Sequence, residues 1–329
     1  MRRRKLVTLI GGLAIAWSLT SNAQPPNPVL PKRIGVLAVS GCPMESNSLI
    51  TRRLAELGWV EGQNVVFDCV STIDRLDQLP ALARELVSRR PDVLVATPSN
   101  LVRALKQETT TIPIVMLMPA DPVQNGLLTS LARPEGNVTG VAFFGSELSG
   151  KRLELLKEIV PHLRRLALVA SEHQDSKAAQ TLEETFTIAA STLGFTWERF
   201  RPALASDYDE VFARIAAGHF DAALISPDPL TQQNAARVIE LALRHRIPTV
   251  GASTAWAKGG LLLGYGQDDR WGLVRGAEYI DKILRGAKPS DLPVEQATEV
   301  KLVINVQTAN ALGLAVPPSL FARADEIIE

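Results

Sequence analysis

From Lys32 onward the chain alternates short runs of apolar, largely β-branched residues with stretches whose apolar positions recur every three or four residues. Residues 34–39 predict a strand, 48–57 a helix and 64–67 a second strand. The rhythm continues with a helix at 76–89, a strand at 93–96, a helix at 100–109 and a strand at 114–117. Continuous apolar strands separated by amphipathic helices belong to a parallel sheet covered on both faces, because the crossover helices shield each face from water. After Asn137-Val138-Thr139-Gly140-Val141 a second series begins. It predicts helices at 148–159, 177–193, 208–217 and 231–244, and strands at 166–169, 196–200, 222–225 and 248–250.

The last third is built differently, with glycines at 259–260, 264 and 266, a helix at 271–284 and a strand at 300–306. These pieces are too few for a third domain and return to complete the two earlier sheets. The expectation is an α/β fold of two doubly wound, parallel-sheet lobes. They are joined by three hinge crossings, near 138–144, 262–265 and 303–306. The N-terminal lobe takes residues 32–142 plus 264–302, and the C-terminal lobe 143–263 plus 303–329.

The N-terminus changes the picture. Four positive charges at Arg2-Arg3-Arg4-Lys5 precede an apolar run over 6–19 and a polar stretch with small residues at Ser21 and Ala23. That order predicts a signal peptide over 1–23, cleaved near Ala23, and export to the periplasm. The run is shorter than a membrane-spanning helix needs. The general and twin-arginine routes both accommodate Arg3-Arg4-Lys5-Leu6-Val7. Removing Arg2, Arg3, Arg4 and Lys5 from the 35 basic residues leaves 31 against 35 acidic ones, a formal charge of about −4. Nothing in this balance resembles a nucleic-acid footprint. In an oxidising compartment the only two cysteines, Cys42 and Cys69, either pair or remain as two buried thiols.

Catalytic signatures do not emerge, and no cofactor is expected. The four histidines, His162, His173, His219 and His245, lack metal-ligand spacing. Gly264-Tyr265-Gly266 starts like a dinucleotide fingerprint, but Asp269 stands where the third glycine belongs. No Gly-x-Ser-x-Gly elbow is present around Ser40 or Ser253. Small polar residues instead gather after the predicted strands, where open parallel sheets place ligands against helix N-termini. Ser40, Thr97, Ser99 and Asp121 do so in the first lobe, and Ser171, Ser226 and Asp228 in the second. Hydroxyls and amides there suit a carboxylate, and Asp121 or Asp228 suits an ammonium. The same residue types also serve as ordinary helix caps. Tyr265, beside the second crossing, is the candidate aromatic contact.

Several ordered motifs carry a family resemblance: Leu57-Gly58-Trp59-Val60-Glu61-Gly62, Asp121-Pro122-Val123, Gly136-Asn137-Val138-Thr139-Gly140, Gly150-Lys151-Arg152-Leu153-Glu154-Leu155-Leu156 and Pro317-Pro318-Ser319-Leu320. Together they resemble the ABC transporter substrate-binding proteins related to tryptophan- and tyrosine-binding transport proteins. The resemblance implies a type I periplasmic-binding fold, capture of a small molecule, delivery to an ABC permease and no enzymatic activity. Glu135 and the 171–176 loop depart from the family pattern, so the ligand is placed only as an amino acid or other small carboxylate. A monomer is expected. A sensing subunit that docks on a membrane receptor would use the same fold; a transporter operon beside the gene would favour uptake, and a kinase gene would favour sensing.

Overall fold

The computed structural model describes residues 30–329 except Ser40, Ser46, Gln174 and Asp175. The predicted signal peptide and the Ser40 site therefore lie outside the described residues. In the first lobe, β1 (Lys32–Ala38), α1 (Leu49–Glu56), β2 (Val65–Ser71), α2 (Leu79–Ser88), β3 (Val93–Ala96), α3 (Ser99–Glu108), β4 (Ile114–Ala120) and β5 (Val138–Phe143) follow one another as strand and helix in near-strict alternation. The second lobe repeats the scheme. It runs through α4 (Ser146–Ile159), β6 (Arg165–Val169), α5 (Ser176–Leu193), β7 (Thr196–Phe200), α6 (Asp207–Ala217), β8 (Ala222–Ile225), α7 (Pro229–Gln233), α8 (Ala235–Arg244), β9 (Thr249–Gly251), α9 (Thr254–Gly259) and β10 (Leu263–Gln267). The chain then returns to the first lobe with α10 (Asp269–Leu284) and β11 (Glu295–Gln296), and ends in the second with β12 (Val300–Asn305), α11 (Val306–Leu312), α12 (Pro318–Phe321) and β13 (Glu326–Ile328).

The first sheet has the order β11-β5-β4-β3-β1-β2 and the second β13-β12-β10-β9-β8-β6-β7. Every pair is parallel except β10 with β12. Both sheets thus share one doubly wound plan, with a reversal of strand order between β1 and β3 and again between β6 and β8. Such a switch point opens a crevice at the strand carboxyl ends. The two faces of each sheet carry separate apolar clusters, which is why the strands read as continuous apolar runs.

The chain changes lobe at 144–145, at 268 and between 297 and 299. The sequence pattern put the second and third of these elsewhere. Residues 263–265 and 303–306 belong to β10, β12 and the start of α11, all in the second lobe, so the stretches 264–267 and 300–302 leave the first lobe to which the pattern assigned them. The reason is steric. A Cβ on Gly264 would stand 2.5 Å from the Ser253 carbonyl oxygen, and one on Gly266 2.2 Å from that of Ala252. The glycines let β10 press against the loop after β9, so the strand continues to Gln267 before leaving the sheet. The helix predicted over 231–244 is divided at Asn234 into α7 and α8.

Cys42 and Cys69 are linked, with Cα atoms 5.8 Å apart, and tie the loop after β1 to β2. None of the helices among the described residues is long and apolar enough to cross a membrane.

Candidate functional site

A cleft of about 800 Å³ opens between the lobes, at the strand carboxyl ends of both sheets. Its size is in the range of small-molecule sites. Trp256, 7 % exposed, forms an aromatic wall, with Met118, Phe143 and Phe144 on the opposing side and the crossing. Four polar regions interrupt this apolar lining.

The first is the turn after β3. The Thr97–Pro98 peptide is cis, and Ser99 and Asn100 open α3 at the cleft. The second is the end of β4, where the ladder shifts register between Leu117 and Ala120 and both Met118 and Asp121 take positive φ, 57° and 45°. Left-handed non-glycine residues of this kind cost energy and concentrate at binding sites. The surroundings hold Asp121 there: its Oδ1 accepts from the Gly145 amide at 3.1 Å, and Asn125 donates its side-chain amide to the Ala120 carbonyl at 2.7 Å.

The third region is the start of α7. Asp228 is 3 % exposed and its carboxylate accepts four hydrogen bonds. They come from the Ser171 amide at 3.0 Å, the Ser171 hydroxyl at 2.5 Å, the Thr231 amide at 3.0 Å and the Thr231 hydroxyl at 2.8 Å. Asp228 is therefore the N-cap of α7 and a brace to the end of β6, although one edge of it lines the cleft.

The fourth region is the second crossing. Gln267, 1 % exposed, and Asp269 both line the cleft there. The Asp269 carboxylate accepts from the Ser253 hydroxyl at 3.2 Å. Burial, reinforced by the neighbouring Asp268 charge, pushes its pKa up to about 6 against the opposing pull of Ser253 and Lys258.

Arg152 lies at the centre of the crossings, 3 % exposed. It donates to the carbonyls of Tyr265 at 2.7 Å, Ala252 at 2.8 Å and Gly145 at 3.2 Å, and to the Ser149 hydroxyl at 3.3 Å. It joins the first crossing, the strand leading to the second, and the loop after β9. Burial lowers its pKa to about 10, with Tyr265 and Asp121 acting in the opposite direction.

Of the residues singled out from sequence, Thr97, Ser99, Asp121, Ser226 and Asp228 line this one cleft. Ser171 and Tyr265 do not. Ser171 is fully buried and spent on Asp228, and Tyr265 packs its ring against the second-lobe core while its carbonyl receives Arg152. Sequence reasoning missed Arg152, Trp256, Gln267 and Asp269. The last two stand at and just after the end of β10, a strand that its glycine-rich sequence does not announce. Among the described residues no group of three or more His, Cys, Asp or Glu side chains converges as a metal site would require.

Three relatives show what this arrangement is similar to. A tyrosine-binding protein of Clostridioides difficile (strain R20291) is 24% identical over 263 residues, covering 80% of this chain and 75% of its own. The crystal structure of an ABC domain in complex with L-Trp from Streptococcus pneumoniae superposes with a TM-score of 0.79 at 25% identity, covering 91% of this chain and 100% of that one. A conserved domain protein of Vibrio cholerae gives a TM-score of 0.79 at 27% identity, covering 90% and 99%. The family model described as ABC transporter substrate binding protein matches residues 41–328, and the chain belongs to that family.

Proposed function

We propose that this protein is the exported solute-binding component of an ABC importer, which holds an amino acid or other small carboxylate in the interlobe cleft and hands it to the permease. The observation that carries this reading is the cleft itself. It is bounded by both lobes, walled by Trp256 and Phe144, and edged by hydroxyls, amides and carboxylates at Thr97, Ser99, Asp121 and Asp269. A ligand touching both lobes stabilises their closed arrangement, and closure is the signal a permease can read. The relatives named for tyrosine binding and solved with L-Trp support an aromatic amino acid as the first class to test.

The test is thermal unfolding of the chain without residues 1–23 against L-tryptophan, L-tyrosine, other amino acids, small carboxylates and sugars, followed by calorimetry. Saturable stabilisation by an amino acid or carboxylate, growing with concentration over Kd, is the expected result. Stabilisation by sugars alone would overturn the ligand class, and turnover of any compound would overturn the non-enzymatic role.

A further inference from the structure

Three carboxylates border the cleft, from Asp121, Asp228 and Asp269, and Arg152 is the only basic side chain among the described residues that line it. Arg152 does not offset them for a solute, because it is 3 % exposed and directs its hydrogen bonds to three carbonyls and a hydroxyl. A carboxylate entering the cleft meets neutral donors and a surplus of like charge, whereas an ammonium meets the opposite sign. Asp228 is saturated from within the protein, and Asp269 is not. Among the described residues its one hydrogen bond, from the Ser253 hydroxyl, reaches Oδ2, and the residue is partly exposed where it lines the cleft. No ion pair among those residues engages it: Lys258 pairs with Glu326 at 2.7 Å, and Lys301 with Asp268 and Glu299 at 3.7 and 3.4 Å. Nor does Asp269 serve as a cap, since the N-cap of α10 is Asp268, which accepts from the Arg270 amide at 2.9 Å. A carboxylate drawn out of water without a counter-charge is disfavoured in its ionised form, which is why burial raises the Asp269 pKa to about 6.

We infer that the cleft selects solutes carrying a protonated amine, and that Asp269 Oδ1 receives the ammonium. The Ser253 hydroxyl orients the carboxylate by holding Oδ2, which leaves Oδ1 for the solute. A hydrogen bond from an ammonium to a carboxylate is charged on both sides and is stronger than a neutral one, and it supplies the counter-charge that Asp269 lacks. Asp121 adds to the same field. The first turn of α10 lies on the end of β4, where Gly272 leaves no room for a Cβ beside the Met118 sulfur, and Asp121 and Asp269 flank this contact. The inference rests on the solute-binding reading of the cleft and narrows it: the amine, rather than the carboxylate, is the group the solute must carry.

The test compares solutes that share one side chain: L-tryptophan, tryptamine, which lacks the carboxylate, and indolepropionate, which lacks the amine. L-tyrosine and L-leucine, each with its corresponding amine and acid, extend the series. Calorimetry reads affinity for the chain without residues 1–23, and the ligand-free Tm shows that each variant is folded. In the wild type the amine of the best-bound series should bind more tightly than the acid by about tenfold or more. Asp269→Asn, which keeps the shape of the side chain, should lower that amine-to-acid ratio by about ten- to a hundredfold, the loss of one charge-assisted hydrogen bond. Its ligand-free Tm at neutral pH should equal or exceed that of the wild type, because a buried charge without a counter-ion has been removed. Asp269→Ser should lower the ratio as far. An acid that binds the wild type as tightly as its amine overturns the inference, and so does a ratio unchanged in both variants. Binding of amines without amino acids ends the amino-acid reading of the cleft and keeps this one. Binding of acids alone keeps the small-carboxylate reading and ends this one, and a wild type that binds no amine in any series ends it as well.

Discussion

Two regions of the cleft lining that carry buried polar groups behave in opposite ways. At the start of α7, Asp228 receives four hydrogen bonds from Ser171 and Thr231, and Thr231 is in turn paired with the Tyr208 hydroxyl at 2.9 Å. At the second crossing, Gln267 Nε2 has no partner, and Asp269 accepts from a single hydroxyl. Both regions sit at strand carboxyl ends beside helix N-termini, and both carry the residue types expected of a ligand site. What separates them is how many of their hydrogen bonds the chain itself supplies. A saturated carboxylate such as Asp228 is scaffold, and a solute contacting it would have to displace good internal bonds. Arg152 belongs with the saturated group, because its donors are spent on three carbonyls and a hydroxyl.

The comparison sharpens most strongly at Arg152. Arg152→Leu removes four hydrogen bonds near the crossings, leaving the Gly145 carbonyl and the Ser149 hydroxyl only each other, and should cost about 4 kcal/mol in urea unfolding. Arg152→Lys should recover less than half of that, since one ammonium cannot span carbonyls that approach from three directions. A loss below about 1 kcal/mol for the leucine variant would mean that the crossings are held by packing alone. Next in size, Asp228→Ala removes the N-cap of α7 together with the brace to Ser171, and should cost about 3 kcal/mol. The affinity of the folded fraction for any stabilising solute should stay within about threefold. The opposite outcome, near-normal stability with binding lost, would exchange the roles assigned to the two regions.

Much of this architecture is legible in the sequence, and the reason is physical. Strands such as β3 and β8 are buried on both faces, so they read as unbroken apolar runs, and the helices between them show one apolar stripe each. The short elements α9 and β13 escape because six and three residues cannot display a period. The site is less legible. Thr97, Ser99 and Asp121 follow from their position after a strand, but nothing local says that Ser171 is consumed by a carboxylate 57 residues away. Arg152 reads as the polar face of a helix, and its burial depends on carbonyls 113 and 100 residues distant. Whether a polar side chain is scaffold or site is decided by such distant partners, which periodicity does not encode.

The acidic group on the unsaturated side gives a pH signature. The folded pKa of Asp269, raised to about 6, lies above its ordinary value of 3.8, so between those limits the folded protein holds a proton that the unfolded chain has released. Its contribution to stability is complete below the unfolded value and is lost as pH rises through the folded one. Asp269→Asn should flatten this falling limb in a series of thermal melts from pH 4 to pH 7. An unchanged slope would show that the carboxylate is solvated in the folded state.

The smallest effect concerns a contact between the lobes made by residues that do not line the cleft. Gln233, at the end of α7, donates to the Thr72 hydroxyl of the first lobe at 3.2 Å, and Leu76 of the first lobe packs against the apolar cluster that contains Leu230. These groups meet only when the lobes are together, so they favour closure without touching solute. One neutral hydrogen bond contributes about 0.5–1.5 kcal/mol, which corresponds to a shift of about two- to tenfold in the ratio of closed to open molecules. Gln233→Ala should therefore raise the radius of gyration of the ligand-free protein in solution scattering. It should also weaken every stabilising solute by the same small factor, whatever its chemistry. That uniformity marks a contact between lobes, in contrast to a residue that touches the solute. A Gln233→Ala variant that weakened one solute class and spared another would mean that α7 reads the ligand directly, and the division between saturated scaffold and unsaturated site would then fail at this helix.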